Sequence, residues 1–353
     1  MVDERHREMF RTRGLLCVAA CTAVLLGSVL VAERSTALGD PYSFLRTHVG
    51  FDAKAVEKVR RGEPIAIGLD TPIARELAVF GVVWIEAPVE RYIERYRDIE
   101  RFEADASVRI KKLSEPPQPS DFSGLTLTAE DFRELRDCTL GNCDVKLGQD
   151  SMARLREEVD WSAPDAKAVV TRLLKRLIFE YAVAYQREGN QSLAVYRDKS
   201  RPIFMAREFE GLLGNVSFLP IYAPELHRYL LDYPRVELSG SEEFFYWSTN
   251  EFGLKPTTRL NHVVIHRQEE TDSVVIASKH IYGSHYFHAA LELRILFVDP
   301  DRSGGFYLMT LNRSRSDGLE GFLGMFRRRP AQNRARDSLL RFLEHTKLTM
   351  EES

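Results

Sequence analysis

The chain has 353 residues, of which 44% are hydrophobic and 29% are charged. These proportions are typical of a globular protein with a packed core, and they exclude a generally disordered chain. The chain carries 49 basic and 52 acidic side chains, so its net charge is only −3. A charge so close to zero provides no general attraction for nucleic acid, and we therefore expect no nucleic-acid partner.

The N-terminal forty residues have the pattern of a membrane-directing segment. Four arginines precede the uninterrupted apolar run Leu15–Ala32, which ends at Glu33. As a helix this run is about 27 Å long, close to the thickness of bilayer hydrocarbon, and the flanking arginines favour a cytoplasmic N-terminus. Residues 1–40 are thus a signal anchor or, because Ser35–Ala37 provides a small-x-small site, a signal peptide cleaved after Ala37. Either alternative predicts a single-pass membrane protein or a secreted one, with the domain on the periplasmic or extracellular side.

Two cysteines flank a short turn. Cys138 and Cys143 lie on either side of Gly141-Asn142. Outside the cytoplasm, two cysteines this close are expected to form a disulfide. The alternative is half of a metal site, but the other two cysteines, Cys17 and Cys21, lie within the apolar run, where they act as small hydrophobes, so no second pair remains to complete four ligands.

The first part of the soluble region alternates helices and strands. A short helix is predicted from Asp52, its N-cap, to Arg61. Glu76–Glu86 is rich in strand-forming residues, and Val89–Phe102 repeats apolar residues at helical spacing. A second strand is predicted around 108–113.

The next region is mainly helical. Its longest predicted helix is Ala163–Arg187, with Ser162 as its cap. Shorter helices are predicted at Phe204–Leu213 and Pro224–Leu231. These helices define a helical segment over residues 129–240.

In the third region, apolar and polar residues alternate with a period of two. Its five predicted strands are Glu243–Trp247, Leu260–His266, Ser273–Tyr282, His285–Val298 and Gly305–Asn312. In the fourth, apolar residues at odd positions alternate with Tyr286, His288, Glu292 and Arg294, as expected for a strand with one buried face. The short connections predict an antiparallel meander. A long helix, Asp317–Met350, follows, and Pro330 marks its start or a kink.

This order of elements, together with three short motifs, resembles the START-related SRPBCC superfamily. The motifs are Val82–Tyr92 for the opening strand and helix, Arg97–Phe102 for the end of the helical pair, and Asn312–Leu319 at the entry to the final helix. The resemblance covers residues 76–128 and 241–350, and the chain departs from it by more than a hundred inserted residues. It implies an α+β helix-grip fold over 41–350, in which a curved antiparallel sheet wraps around the C-terminal helix, with the mainly helical insertion 129–240.

The resemblance also implies a function, because members of this superfamily bind lipids, sterols or other apolar ligands, and some are enzymes. We expect a membrane-tethered module that binds an apolar ligand such as a lipid in a cavity between sheet and helix. The candidate lining residues are Phe245, Trp247, His285, Phe287, Leu291, Leu293, Tyr307, Met309, Leu339 and Leu343. Phe244–Trp247 can equally be ordinary core. No catalytic residue or cofactor is predicted.

Two other functions stay open. The first is a non-enzymatic interaction or scaffold protein of the cell envelope that binds its partner through the helical segment. The second is a metal-dependent enzyme that uses the histidines between His262 and His288, since histidines on neighbouring strands can ligate zinc. Half-exposed histidines at strand ends explain the same pattern, so no metal ligand is assigned.

The basic stretch 313–341 is a candidate for membrane contact. It holds eight arginines and three acidic residues, and apolar side chains are interleaved with them. Each basic side chain near an anionic membrane contributes on the order of 1 kcal/mol to binding. A solvated helix face is the alternative.

Overall fold

The computed structural model describes residues 40–104, 108–251, 255–268, 273–319 and 321–352, without the side chains at 321–323 and 325. The predicted anchor Leu15–Ala32 lies outside these ranges. Within them, none of the helices combines the length and the apolar character needed to cross a bilayer.

The described chain is α+β. Its strands are β1 Ile65–Leu69, β2 Glu76–Ile85, β3 Arg109–Lys112, β4 Val195–Tyr196, β5 Ile203–Phe204, β6 Ser241–Asn250, β7 Thr257–Gln268, β8 Ser273–Gly283, β9 Phe287–Phe297 and β10 Phe306–Ser316. Its α-helices are α1 Pro41–Phe44, α2 Ala53–Arg60, α3 Val89–Arg97, α4 Ile99–Phe102, α5 Ala129–Arg136, α6 Gln149–Glu158, α7 Ala166–Glu188, α8 Met205–Leu213, α9 Leu219–Tyr222, α10 Pro224–Asp232 and α11 Gly321–Glu351. A π-helical turn, Leu45–Val49, continues α1, and 3₁₀ turns span Pro119–Phe122 and Gly189–Ser192.

A large curved antiparallel sheet is the centre of the fold. Its eight strands lie in the order β1-β2-β10-β9-β8-β7-β6-β3, so the first long strand is hydrogen-bonded to the last. The five predicted meander strands are confirmed as β6 to β10; β6, β7, β8 and β10 extend beyond their predicted ranges, whereas β9 is shorter than predicted at both ends. The edge strand β1, which contains Gly68, was not predicted.

Helices cover both faces of this sheet. On one face, which we call the α11 face, side chains such as Val83, Ile276 and Leu308 pack with α3, α4 and α11. On the other, the α7 face, side chains such as Val82 and Met309 pack with α1, α2 and α7 to α10. Because the side chains of a strand alternate between faces, each long strand contributes to two separate cores. The aromatic run Phe244–Trp247 is divided in this way between them.

The C-terminal helix crosses the α11 face at β2 and β1, where two glycines allow it to approach closely. A Cβ atom on Gly81 would lie 2.6 Å from Leu343 Cδ1, and one on Gly68 would lie 2.7 Å from Gln332 Cδ. Gln332 Nε2 also donates to the carbonyl of Leu69 at 2.8 Å. The helix begins at Gly321 rather than at Asp317, and Pro330 lies inside it.

The observed starts of the helices confirm one predicted N-cap and contradict another. Asp52 caps α2 as predicted, because its carboxylate accepts from the amide of Ala55 at 2.8 Å. The cap predicted at Ser162 is wrong, since its hydroxyl donates to Asp160 at 2.6 Å and α7 begins after Asp165.

The segment between β3 and β6 is mainly helical, with the β4–β5 hairpin as its only sheet structure among the described strands. Cys138 and Cys143 form the predicted disulfide, with their Cα atoms 4.7 Å apart. Gly141, at φ +83°, provides the turn between them, a backbone angle that glycine adopts without strain.

Candidate functional site

The ten candidate lining residues do not share one interior. Phe245, Trp247, Leu291, Leu293, Tyr307 and Met309 belong to the core of the α7 face. Leu339 and Leu343 belong to the core of the α11 face. His285 lies in the turn between β8 and β9, with its Nδ1 2.9 Å from the carbonyl oxygen of Asp144, and Phe287 has its ring 5.7 Å from that of His280. The sheet itself therefore separates the two main groups, which corrects the expectation of one shared cavity.

The five histidines are also separated. His262 and His266 belong to the α7 face and His280 to the α11 face, whereas His285 and His288 lie at the end of the sheet. Among the residues that the structure describes, no three His, Cys, Asp or Glu side chains are placed to hold a metal ion. The expected histidine cluster is not formed by these residues.

The α11 face instead collects polar side chains that the sheet places side by side. In the strand register, Tyr246 lies opposite Asn261, and Asn261 lies opposite His280. Directly opposite residues in antiparallel strands have Cβ atoms about 5 Å apart, so these side chains form one row across three strands. Arg294 and Thr310 form a second opposite pair on the same face. We call the side chains of Tyr246, Asn261, His280, Glu292, Arg294 and Thr310, with Tyr92, Tyr96 and Glu103 above them, the polar cluster.

Arg294 is the most constrained member of the polar cluster. Its Nη2 lies 2.6 Å from Glu292 Oε1, and its Nη1 donates to the hydroxyl of Tyr92 at 3.3 Å. Its guanidinium is 4.7 Å from the ring centre of Tyr96 and 4.9 Å from that of Phe342. Burial opposes the charge of Arg294, yet its electrostatic interactions with Glu292, Tyr92, Tyr96 and Glu103 together outweigh burial and hold its pKa well above the ordinary value. A charged guanidinium therefore stays fixed between aromatic rings.

Burial also controls the acidic and phenolic members. Burial raises the pKa of Glu103. The charges of Arg294 and Arg259 lower that pKa, but they do not offset the effect of burial. Burial likewise raises the pKa of Tyr92 to about 12, and the hydroxyl of Tyr246 lies 3.4 Å from Glu103 Oε1. The phenols are thus neutral hydrogen-bonding groups at neutral pH.

Several polar atoms of the cluster have no hydrogen-bond partner among the described residues. They are Tyr96 Oη, Asn261 Nδ2, both ring nitrogens of His280, Arg294 Nε and Thr310 Oγ1. All five residues are at most 4% exposed. Buried polar atoms are nearly always paired in folded proteins, so this concentration on one face requires an explanation.

The protonation state of His280 determines which hydrogen-bond donors and acceptors the polar cluster presents to a ligand. Burial, aided by the charge of Arg259, lowers the pKa of His280 to about 3. The ring is therefore neutral, with one donor and one acceptor nitrogen. Asn261 Nδ2 and Arg294 Nε are donors only, so donors outnumber acceptors. The arrangement suits a ligand with oxygen acceptors and an apolar body that contacts the surrounding rings.

Part of this site was visible in the sequence. Tyr286, His288, Glu292 and Arg294 were recognised as the polar side of one strand, which is normally the solvent side. Asn261, Thr310 and Tyr96 were missed because single polar residues within apolar segments give no periodic signal. A polar side on several neighbouring strands of one sheet, followed by a long helix, is the signal that identifies them.

Neither a comparison with protein-family models nor one with curated protein sequences found a match for this chain.

Proposed function

We propose that the protein is a binding module for a small, mainly apolar molecule, such as a lipid, that carries oxygen acceptors. Its site is the polar cluster, between the sheet and helices α3, α4 and α11. The observation that carries the proposal is the group of buried, unpartnered polar atoms on that face. A ligand that accepts hydrogen bonds from them removes the cost of leaving them unpaired, about 1–3 kcal/mol for each group.

The order of elements supports the same site. A strand, a helix pair, a strand, a meander and a closing helix follow one another as β2, α3–α4, β3, β6–β10 and α11. This is the order on which the resemblance to the START-related superfamily rests, and we propose a helix-grip arrangement with the segment between β3 and β6 as an insertion. In such an arrangement the ligand lies beneath the C-terminal helix.

The ligand's apolar part accounts for the affinity and its oxygens for the orientation. Each methylene removed from water contributes about 0.8 kcal/mol, so a body of about ten carbons supplies the roughly 8 kcal/mol that micromolar binding requires. The rings of Tyr96, Phe102 and Phe342, which surround Arg294, offer that apolar contact. The donors Asn261 Nδ2 and Arg294 Nε then select a molecule with an acceptor at the matching position.

Membrane attachment belongs to the proposal. Leu15–Ala32 is the tether, and the exposed side of α11, which includes Arg327, Arg329, Arg334 and the 65% exposed Phe326, is a second membrane-contact surface. The basic surface is smaller than the sequence suggested, because Arg313 and Arg315 are buried in ion pairs with Glu76. Carbonate extraction of membranes from expressing cells tests the tether. Release of the full chain into the soluble fraction would contradict an anchor.

Ligand binding is tested on the full-length chain, purified in a mild detergent and extracted with organic solvent. We expect mass spectrometry to find one small molecule at close to one per chain. Asn261→Leu removes the donor while keeping the branching and the number of heavy atoms of the side chain, and we expect about a tenfold lower occupancy. Asn333→Leu, on the exposed side of α11, is the matched control and should retain the ligand. Equal occupancy in both variants, or no ligand in the unmodified chain, would refute the proposal.

A further inference from the structure

A groove of about 610 Å³ lies on the α7 side of the sheet, away from the polar cluster. Its walls come from α7, from the N-terminus of α6 and from the β4–β5 hairpin, with Tyr282 of β8 at its base. Small-molecule sites in proteins have volumes of about 300–1,000 Å³, so the groove has the size of a ligand site. We call it the outer groove.

Hydrogen bonds hold the outer groove open in one shape. The hydroxyl of Tyr181 donates to the carbonyl of Ile281 at 2.6 Å and accepts from the amide of Ala194 at 3.1 Å. Tyr181 thereby connects α7 to β8 and to the chain leading into β4. A groove fixed in this way is available to a ligand without reorganisation.

The walls of the outer groove are apolar. They include Leu174, Leu177 and Ile178 on α7, facing Val195 and Phe204 on the hairpin. Val195 is 37% exposed and Phe204 is 41% exposed, which is unusual for large apolar side chains beside such a groove. Covering these surfaces with a hydrocarbon chain would remove them from water.

Two arginines without carboxylate partners lie at the same groove. Arg197 lines it, and the guanidinium of Arg207 lies 4.7 Å from the ring centre of Phe204. Among the described residues, neither arginine has a carboxylate within 4.0 Å, whereas Lys199, between β4 and β5, is paired with Asp144. Asp150 is exposed at the α6 side of the groove. An anionic group is therefore favoured at the hairpin side.

We propose that the outer groove binds a single-chain amphiphile whose hydrocarbon lies against α7 and whose anionic headgroup lies beside Arg197 and Arg207. This site is separate from the polar cluster and does not depend on the function proposed there. Both a carboxylate and a phosphate headgroup satisfy the geometry, and the experiment separates them.

The experiment uses photoreactive, diazirine-bearing fatty acid, alkyl phosphate and alkyl trimethylammonium probes on the full-length chain in membranes. Peptide mass spectrometry then locates the crosslinks. We expect one or both anionic probes to label peptides from 147–151, 174–181 or 192–204, whereas the cationic probe labels them much less. No labelling of these three peptides, or equal labelling of them by all three probes, would overturn the proposal. Stronger labelling by the fatty acid or by the phosphate identifies the headgroup.

A charge-swap pair at the mouth of the groove tests the charge preference. Val195→Asp and Val195→Lys both make an exposed position polar, but they place opposite charges beside the headgroup. We expect the aspartate to reduce anionic labelling about fivefold and the lysine to leave it equal or higher. Asn261→Leu should not change this labelling, so the two proposed sites can fail independently. Equal loss in both Val195 variants would show that the headgroup charge is not recognised.

Discussion

On the α7 face a buried carboxylate is surrounded by partners, whereas on the α11 face buried donors have none among the described residues. Glu76 is fully buried on the α7 face, yet it accepts from Arg313, from Arg315 Nε at 2.9 Å and from Asn215 Nδ2 at 2.9 Å. Asn261 and His280, on the α11 face, are almost as deeply buried and carry open donors. The same sheet therefore places a paired, buried carboxylate on one side and a group of unpaired polar atoms on the other.

The difference distinguishes two roles of buried polar side chains, a structural role and a ligand-binding role. Arg315 also donates to Glu208 at 3.2 Å, so the network at Glu76 connects β2 and β10 to α8. Such a network holds elements together, and both carboxylate oxygens of Glu76 are already engaged within the fold, although Arg313 Nε and Arg315 Nη2 have no hydrogen-bond partner among the described residues. Open donors destabilise the unliganded fold, and the free energy of pairing them becomes available only when a ligand binds. We interpret the α7 network as structural and the polar cluster as a binding site.

The largest expected effect comes from breaking the buried ion pairs at Glu76. Glu76→Gln leaves Arg313 and Arg315 buried beside a neutral side chain. Removing one charge of a buried ion pair typically lowers the free energy of unfolding by about 3–5 kcal/mol. Urea unfolding followed by circular dichroism measures this change. The exposed Glu94→Gln is the control, and a change at Glu76 below about 1 kcal/mol would show that the network is not structural.

A smaller effect is expected at the end of the sheet, where Asp317 connects the helical segment to the meander. Asp317 lies 2.6 Å from Lys146 Nζ and 2.5 Å from His288 Nε2. Burial raises the pKa of Asp317, but the hydrogen bond from His288 and the charge of Lys146 outweigh burial and lower that pKa to about 2. Because the folded pKa is depressed below the ordinary value of 3.8, the stabilisation is present above pH 4 and is lost as the pH falls to 2.

Asp317→Asn should accordingly lower the free energy of unfolding at pH 7 by about 2 kcal/mol. It should also flatten the loss of stability between pH 4 and pH 2. Urea titrations at several pH values measure both quantities, with the exposed Asp70→Asn as the control. An unchanged pH profile in the Asp317 variant would contradict the assignment.

The elements that could be predicted from the sequence are those with a clear local pattern. The five meander strands were recognisable because period-two alternation distinguishes a strand from a helix. The edge strand β1 was missed because it has five residues, follows Pro64 and contains Gly68, all of which weaken the strand pattern. Asp52 was found because a cap is a local interaction, whereas Ser162 was misassigned since Asp160 competes for its hydroxyl.

The placement of the site was harder to predict, because it depends on which helix covers which face. Leu343 and Leu293 were grouped as one lining although the sheet lies between them. Periodicity indicates that two strand positions lie on opposite faces of the sheet. It does not indicate which helices cover each face. Polar residues such as Arg294 were read as solvent-facing because only the tertiary fold places α3 and α11 over them.

The smallest expected effect distinguishes a structural role from a ligand-binding role most directly. The two roles predict opposite changes in the free energy of unfolding of the ligand-free protein. Thr310 is fully buried, and its hydroxyl has no partner among the described residues. Thr310→Val keeps the shape of the side chain and removes the hydroxyl, so the ligand-free protein should be about 1 kcal/mol more stable to urea. Ligand occupancy after purification should nevertheless fall, because the ligand loses a hydrogen bond. Thr139→Val, at an exposed position, should change neither quantity. A variant that is less stable without ligand would mean that the hydroxyl is paired within the fold, and the polar cluster would then resemble the network at Glu76.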